Sequence, residues 1–343
     1  MKIIWVINEG SPWHLAQSRA LALELLACDT SRRMAVVDVK RRFSGLQRGL
    51  MRRLIGRSGH HVPGFLQRRI IADLALPEGE LRVPDLILSS GGRSVFVARV
   101  FANRYKVPFI FIGERKPYPS EWFHTVFTPS VLEQGVNDVS IDLIPTGVTP
   151  EKVAQAAAHY ECPEGTCWTM VIGGASRSHP YMETDWKQLA EGMNQLAEHH
   201  GIRWLLTTSH RTGDNAEAML QKTLRPEVLA DAIWWDTKPE KRMMAFLGAA
   251  DRVFVTQDSV TMVTECVASG KSVYVLQPEK VSFPKSSFMP QYLDRLENKN
   301  RLRRILIKRF AEHQIEDHKK LAEIDIVEHP ISKVLVSRLP REF

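Results

Sequence analysis

Four cysteines in 343 residues are too few for a disulfide framework. Cys28, Cys162, Cys167 and Cys266 are scattered, and no second pair joins Cys162 and Cys167 to complete a zinc site. They read as reduced thiols of a cytoplasmic protein. No signal peptide is expected, because Lys2 precedes only a short apolar run that Asn8 and Glu9 end. No run of about 18 apolar residues exists, so no membrane-spanning segment is expected. Neither Gly-x-Gly-x-x-Gly after the first strand nor Gly-x-x-x-x-Gly-Lys-Ser/Thr occurs, which removes the dinucleotide and P-loop readings. No Asp-x-Asp motif stands in a strand-end loop, and neither a metal nor a resident cofactor is expected.

Acid is absent from one stretch. From Lys40 to Arg69 there are nine Lys or Arg and no Asp or Glu, in a chain of net charge +7. The spacing over 41–57 predicts a basic amphipathic helix, with Phe43, Leu46, Leu50 and Leu54 on one face and Arg41, Arg48 and Arg52 largely opposite. Such a helix suits an anionic membrane surface or another anionic acceptor, or it is a packed helix with a solvated basic face. Nucleic acid is not an expected partner, since no nucleic-acid motif or aromatic platform accompanies the charge. The expected location is the cytoplasm, peripherally at the inner membrane.

What is present is an ordinary globular composition, 44% apolar and 25% charged, and enough length for two domains. Strand and helix patterns alternate: "KIIWVI", a helix over 15–27, "MAVVDV", the basic helix, a segment at 65–75, "PDLILSSGG", "RSVFVARVFANRY", "PFIFIG", "TVFTPS" and "DLIPTG". After a linker helix the pattern restarts with "CWTMVIGG" and runs through "SVYVLQP", while "YLDRLENKNRLRRILIKRF" reads as a basic helix. The expected class is α/β: two doubly wound Rossmann-like domains facing a central cleft. The expected boundaries are a first α/β domain over 1–150, a second over 165–285 and a helical segment over 286–343.

Ligands of such domains bind at the carboxyl ends of the strands. The strongest candidate loop is "TQDSVTMVTECVASGKSVYVL". Asp258 or Ser259 caps a helix beginning near Val260, whose free N–H groups and dipole attract phosphate. Met262 lies in its first turn, and Glu265, about one and a half turns in, can accept hydrogen bonds from a ribose diol. Equally, Ser259 is an ordinary cap and Glu265 a solvated helix residue. Gly173 and Gly174 let backbone approach a diphosphate, with Ser176 and Arg177 following. "TTSHRTG" supplies Thr208, Ser209 and Arg211, the last to neutralise a leaving diphosphate. Trp234 or Trp235 could flank a nucleobase, although core packing suits them as well.

In the first half, His14 follows the Gly10–Ser11–Pro12 turn and is a candidate general base, with Glu9 as its rival. Gly10, Gln17, Gly91, Gly92, Arg93 and Glu114 are the acceptor-side candidates, and Glu114 is a further carboxylate for catalysis.

The strand, polar turn, Ser-x-x-x-x-x-Glu and Gly-x-x-x-Tyr-Val-Leu pattern resembles the donor-nucleotide motif of GT-B glycosyltransferases. More closely, the chain resembles the mitochondrial fission Elm-type family over about residues 1–280. The segments that carry this are Trp13-His14-Leu15-Ala16-Gln17, Gly173-Gly174, Thr207-Thr208-Ser209-x-Arg211, and Thr256-x-Asp258-Ser259-Val260-x-Met262-Val263-x-Glu265. Trp13 departs from the glycine the family favours before the histidine. The resemblance implies a GT-B-like fold, with an acceptor-side domain over 1–150 and a nucleotide-sugar-binding domain over 165–285, and a metal-independent glycosyltransferase moving a sugar from a nucleotide-sugar to a cell-envelope glycan or lipid-linked acceptor. The alternatives are a nucleotide-sugar 2-epimerase or a non-catalytic GT-B-like scaffold that recruits partners to membranes.

Overall fold

A computed structural model describes residues 2–29, 31–38, 45–57, 62–65, 68, 83–115, 117–129, 135–161, 163–285, 287–312, 315 and 337. Expectations for Arg41 and Phe43, for most of 65–75, for Cys162 and for most of the chain beyond 312 lie outside the described residues. The chain divides into two compact units, residues 1–147 with 327–343, and residues 148–326.

The first unit runs β1 (Ile3–Asn8), α1 (Pro12–Cys28), β2 (Arg33–Asp38), α2 (Gly45–Arg57), β3 (Leu86–Ser90), α3 (Val95–Tyr105), β4 (Phe109–Ile112), β5 (Thr125–Thr128) and β6 (Asp138–Ser140). Its strands form one parallel sheet in the order β2-β1-β3-β4-β5-β6. The central strands are apolar at nearly every position because helices cover both faces. Ile4, Val6, Leu86 and Leu88 pack with Leu21 and Leu25 of α1. Alternate residues Ile3, Trp5, Ile7 and Ile87 join Phe96 and Phe101 of α3. Each large side chain buried this way contributes about 1.5–3 kcal/mol. Ser11 caps α1, accepting from the His14 amide at 3.5 Å, and Pro12 begins the helix, where its missing N–H costs nothing.

The second unit runs α4 (Pro150–Ala158), β7 (Cys167–Val171), α5 (Glu183–His200), β8 (Arg203–Thr207), α6 (Asp214–Thr223), β9 (Leu229–Ile233), α7 (Met243–Ala249), β10 (Arg252–Thr256), α8 (Val260–Ala268), β11 (Ser272–Gln277), α9 (Met289–Asn298) and β12 (Arg303–Leu306). The parallel sheet order is β12-β11-β10-β7-β8-β9. One face packs Trp168, Trp204, Phe254 and Tyr274 on α5, with the Phe254 and Tyr274 rings stacked at 4.9 Å. On the other, Leu205 and Ile233 meet Phe246 of α7. The expected linker helix is α4, and it packs closely on α7: a Cβ on Gly248 would lie 2.0 Å from the Val153 carbonyl oxygen.

Three local expectations need correction. The strand expected over 142–147 is absent, and the sheet edge is instead the short β6. Pro145 has no N–H to give a ladder. The long basic helix after Tyr292 ends at Asn298; Asn300 turns left-handed at φ 53°, and Arg303–Leu306 pairs with β11 as an edge strand. Finally, α2 docks on a different face from the one its leucines define. Met51 and Ile55 are buried in the core, while Leu46 is 90% and Leu50 61% exposed. The docked row is displaced by one residue, about 100° of helix rotation.

Candidate functional site

Both sheets have a point at which successive crossovers leave in opposite directions, and α/β proteins bind ligands in the crevice there. In the second unit it lies between β7 and β10, and in the first between β1 and β3.

At the second unit's switch point, β7 leads into Gly173 and Gly174, and β10 into Gln257, Asp258 and Ser259. Asp258 is the keystone. Its side chain has no exposed surface. Oδ2 accepts from the Gly174 amide at 3.0 Å and from Arg211 at 2.6 Å, and Oδ1 accepts from the Tyr181 hydroxyl at 3.2 Å. Burial pushes its carboxyl above the usual range, opposed by Arg211, Thr256 and Gly174. Burial and the adjacent Asp258 push the Tyr181 phenol well above its own ordinary value.

The two glycines are here because nothing larger fits. A Cβ on Gly173 would sit 2.2 Å from Asp258 Oδ2, and one on Gly174 would sit 2.0 Å from the Arg211 carbonyl oxygen. Their amides are occupied within the protein, Gly173 donating to Thr256 at 2.7 Å and Gly174 to Asp258. This modifies the expectation that the pair cradles phosphate: the glycines act as spacers that admit the Arg211 loop. Ser209 and Thr212 fasten that loop by donating to the Gly173 carbonyl oxygen at 2.8 and 2.5 Å. Arg211 stays 31% exposed beyond its ion pair.

Ser259 caps α8, accepting from the Met262 amide at 3.3 Å. Val260 and Met262 are half-buried in the first turn. The half-buried start of this helix and Arg211 meet at the same Asp258 turn, and a helix N-terminus beside a cation suits an anion. Glu265 is half-buried, and burial pushes its carboxyl up to about 7. Thr208 is drawn elsewhere: it donates to the buried Glu217 and accepts from the Trp235 amide at 2.8 Å. Ser176 accepts from the His179 amide at 3.2 Å inside its own loop, and Arg177 is exposed.

Sequence reasoning missed Tyr181, Glu217 and His179. The His179 side chain is fully buried, with Nδ1 3.0 Å from Ser178 Oγ and its ring against Phe283. Its Nε2 has no partner among the described residues. Burial, then the Arg211 charge, lowers its pKa to about 4, so it is neutral. The available signal was an imidazole within the same glycine loop that offered Ser176 and Arg177.

At the first unit's switch point, Glu9 and His14 meet, Oε1 lying 2.6 Å from Nδ1. The Glu9 side chain is 6% exposed and that of His14 35%. Glu9 Oε2 is buried without a partner among the described residues. Gly91, at φ 85°, closes over the pair: a Cβ there would lie 2.1 Å from His14 Nδ1 and 2.5 Å from Glu9 Oε1. Gly10, at φ 86°, makes the turn into α1, its amide donating to Asn8 at 3.0 Å. Ser90 donates to Gln17, and Tyr118 to the Gly92 carbonyl oxygen at 3.0 Å. Arg93 is exposed, and Glu114 sits at the end of β4, taking a 3.4 Å bond from Thr128. Among the described residues, no group of three or more His, Cys, Asp or Glu converges to hold a metal, and no helix is long and apolar enough to cross a membrane.

The sequence profile of the family described as Mitochondrial fission ELM1 matches residues 12–333. No curated protein matches the chain. Among solved structures, Staphylococcus aureus MnaA, determined with UDP, superposes with a TM-score of 0.54 at 13% identity, covering 94% of this chain and 90% of that one. A Listeria monocytogenes protein assigned as a UDP-N-acetylglucosamine 2-epimerase gives 0.55 at 13% identity, covering 94% and 91%. MurG of Acinetobacter baumannii gives 0.48 at 12% identity, covering 98% and 92%. At such identities the likeness is one of fold, and the fold is GT-B-like.

Proposed function

The chain belongs to the mitochondrial fission ELM1 family, and we propose that it is a GT-B-type glycosyltransferase that moves a sugar from a nucleotide-sugar to a cell-envelope glycan or lipid-linked acceptor. The observation that carries this reading is the anion seat of the second unit, where the N-terminus of α8 opens beside Arg211 and Asp258 clamps that arginine. One structure of like fold was determined with UDP, and another is assigned to a UDP-sugar enzyme, which supports the choice of nucleotide-sugar.

In this reading the diphosphate lies at the helix end. Arg211 stabilises the charge that develops on the leaving diphosphate, so helix dipole and guanidinium take the part a metal has elsewhere. Glu265, once ionised, accepts from the ribose diol. In the first unit His14 or Glu9 removes the proton of the acceptor hydroxyl. The basic stretch 40–69 brings the enzyme to an anionic membrane surface, and the exposed Leu46 and Leu50 of α2 support this contact.

The test is a thermal-shift panel of UDP-, GDP-, ADP-, CMP- and dTDP-linked sugars on wild type and Glu265→Ala. A ligand at about 100 times its Kd stabilises the folded state by about 2.7 kcal/mol. The expected result is a rise in Tm with one nucleotide class, reduced in the variant. No rise with any of them overturns the reading in favour of the scaffold. Sugar rearrangement without an acceptor would instead assign the protein as a nucleotide-sugar 2-epimerase.

A further inference from the structure

Glu9 and His14 both stand as candidates for the base, yet their geometry makes them unequal. Glu9 approaches the imidazole at Nδ1, at 2.6 Å, and its side chain is almost wholly buried, whereas His14 keeps about a third of its side-chain surface open. A carboxylate can only accept at that contact, so the proton between them sits on Nδ1, and in the neutral ring the lone pair is then on Nε2. The arrangement is over-determined. The Ser11 cap holds the His14 amide, Gly10 turns the chain between the two residues, and Gly91 leaves no room for the ring to swing towards β3.

We infer that Glu9 is the positioning residue of His14: it fixes the ring as the Nδ1–H tautomer and presents Nε2 as the single base of the first unit. This deepens the transferase reading and, for the chemical step, rests on it. Nε2 takes the proton of the acceptor hydroxyl as its oxygen bonds to the anomeric carbon. The bond from that carbon to the diphosphate oxygen breaks, and its electron pair leaves with the nucleoside diphosphate. His14 becomes an imidazolium opposite the Glu9 carboxylate, and it returns its proton to solvent after product release. Asn8, which donates to Asp38 at 2.6 Å, and Gln17, which accepts from Ser90, are engaged elsewhere. Neither competes for the ring within the described contacts.

The test reads the tautomer directly. Full-length protein carrying 15N-labelled histidine is examined by long-range 1H–15N correlation at pH 8, with His14→Gln identifying the resonance. The wild type is expected to show a protonated Nδ1 and an unprotonated Nε2 at His14, a pattern lost in Glu9→Gln. An Nε2–H tautomer in the wild type overturns the inference, even if the variant does not fold. So does a pattern unchanged in a folded Glu9→Gln. This readout needs no substrate, so it can stand while the nucleotide panel fails, and it can fail while the panel succeeds. Where turnover is measurable, Glu9→Gln should lower kcat by about 10²-fold or more with little change in KM.

Discussion

Each unit places a carboxylate beneath a glycine at its switch point, and the two carboxylates are used in opposite ways. Asp258 has both oxygens occupied, by an amide, a guanidinium and a phenol. Glu9 has one oxygen on an imidazole and the other unpartnered among the described residues. A buried carboxylate with both oxygens engaged is a fastening, since it ties three segments of chain to one point. One left half-satisfied is costly to keep and is better explained by chemistry than by folding. In the proposed reading the second unit holds Arg211 still and the first keeps a base available.

The largest expected effect breaks the fastening. Asp258→Ala strands a guanidinium, a buried hydroxyl and an amide, and it should cost about 3–5 kcal/mol in denaturant unfolding. A cost near that of Glu9→Gln would erase the contrast between the two sites. Next comes Glu265, whose folded pKa of about 7 lies above the unfolded 4.5. From pH 4.5 towards 7 the unfolded chain releases this proton while the folded chain keeps it, so stability falls as pH rises through that window. Glu265→Gln should flatten that decline, by up to about 3 kcal/mol across the window, and nucleotide affinity in the wild type should rise above pH 7. A smaller change is expected from Glu9→Gln, within about 1 kcal/mol by thermal unfolding, because one oxygen is already unpaired. Leu50→Ser should leave stability within about 0.5 kcal/mol of wild type. It should nonetheless weaken sedimentation with vesicles rich in phosphatidylglycerol, and unchanged sedimentation would remove α2 from the membrane reading.

The central strands were legible because burial on both faces makes them continuous apolar runs, as in "KIIWVI" and "RVFVT". The edges were not. β6 is Asp-Val-Ser and β12 Arg-Arg-Ile-Leu, short polar segments whose strand form depends on a neighbour already in place. Gly173 and Gly174 stood out as a motif, but their reason, room for Asp258 and for the Arg211 carbonyl, is a contact across 37 to 85 positions of chain that local reading cannot reach. His14 and Glu9 were both named, and only the fold pairs them. For α2, the heptad-like leucines were visible, yet Met51 and Ile55 dock instead, because the partner surface chooses between adjacent helical rows.

The strand orders also bear on how the chain is made. In the first sheet β2 joins β1, β3 takes the other side of β1, and β4, β5 and β6 each add outward. In the second, β8 and β9 extend from β7 in one direction, and β10, β11 and β12 extend in the other. As the ribosome delivers each strand, its place is at a free border of sheet already present, and no finished pairing has to open to admit a later arrival. Parallel sheets are slow to assemble because their contacts are distant in sequence. Growth from β1 and from β7 lets synthesis itself set the order of addition.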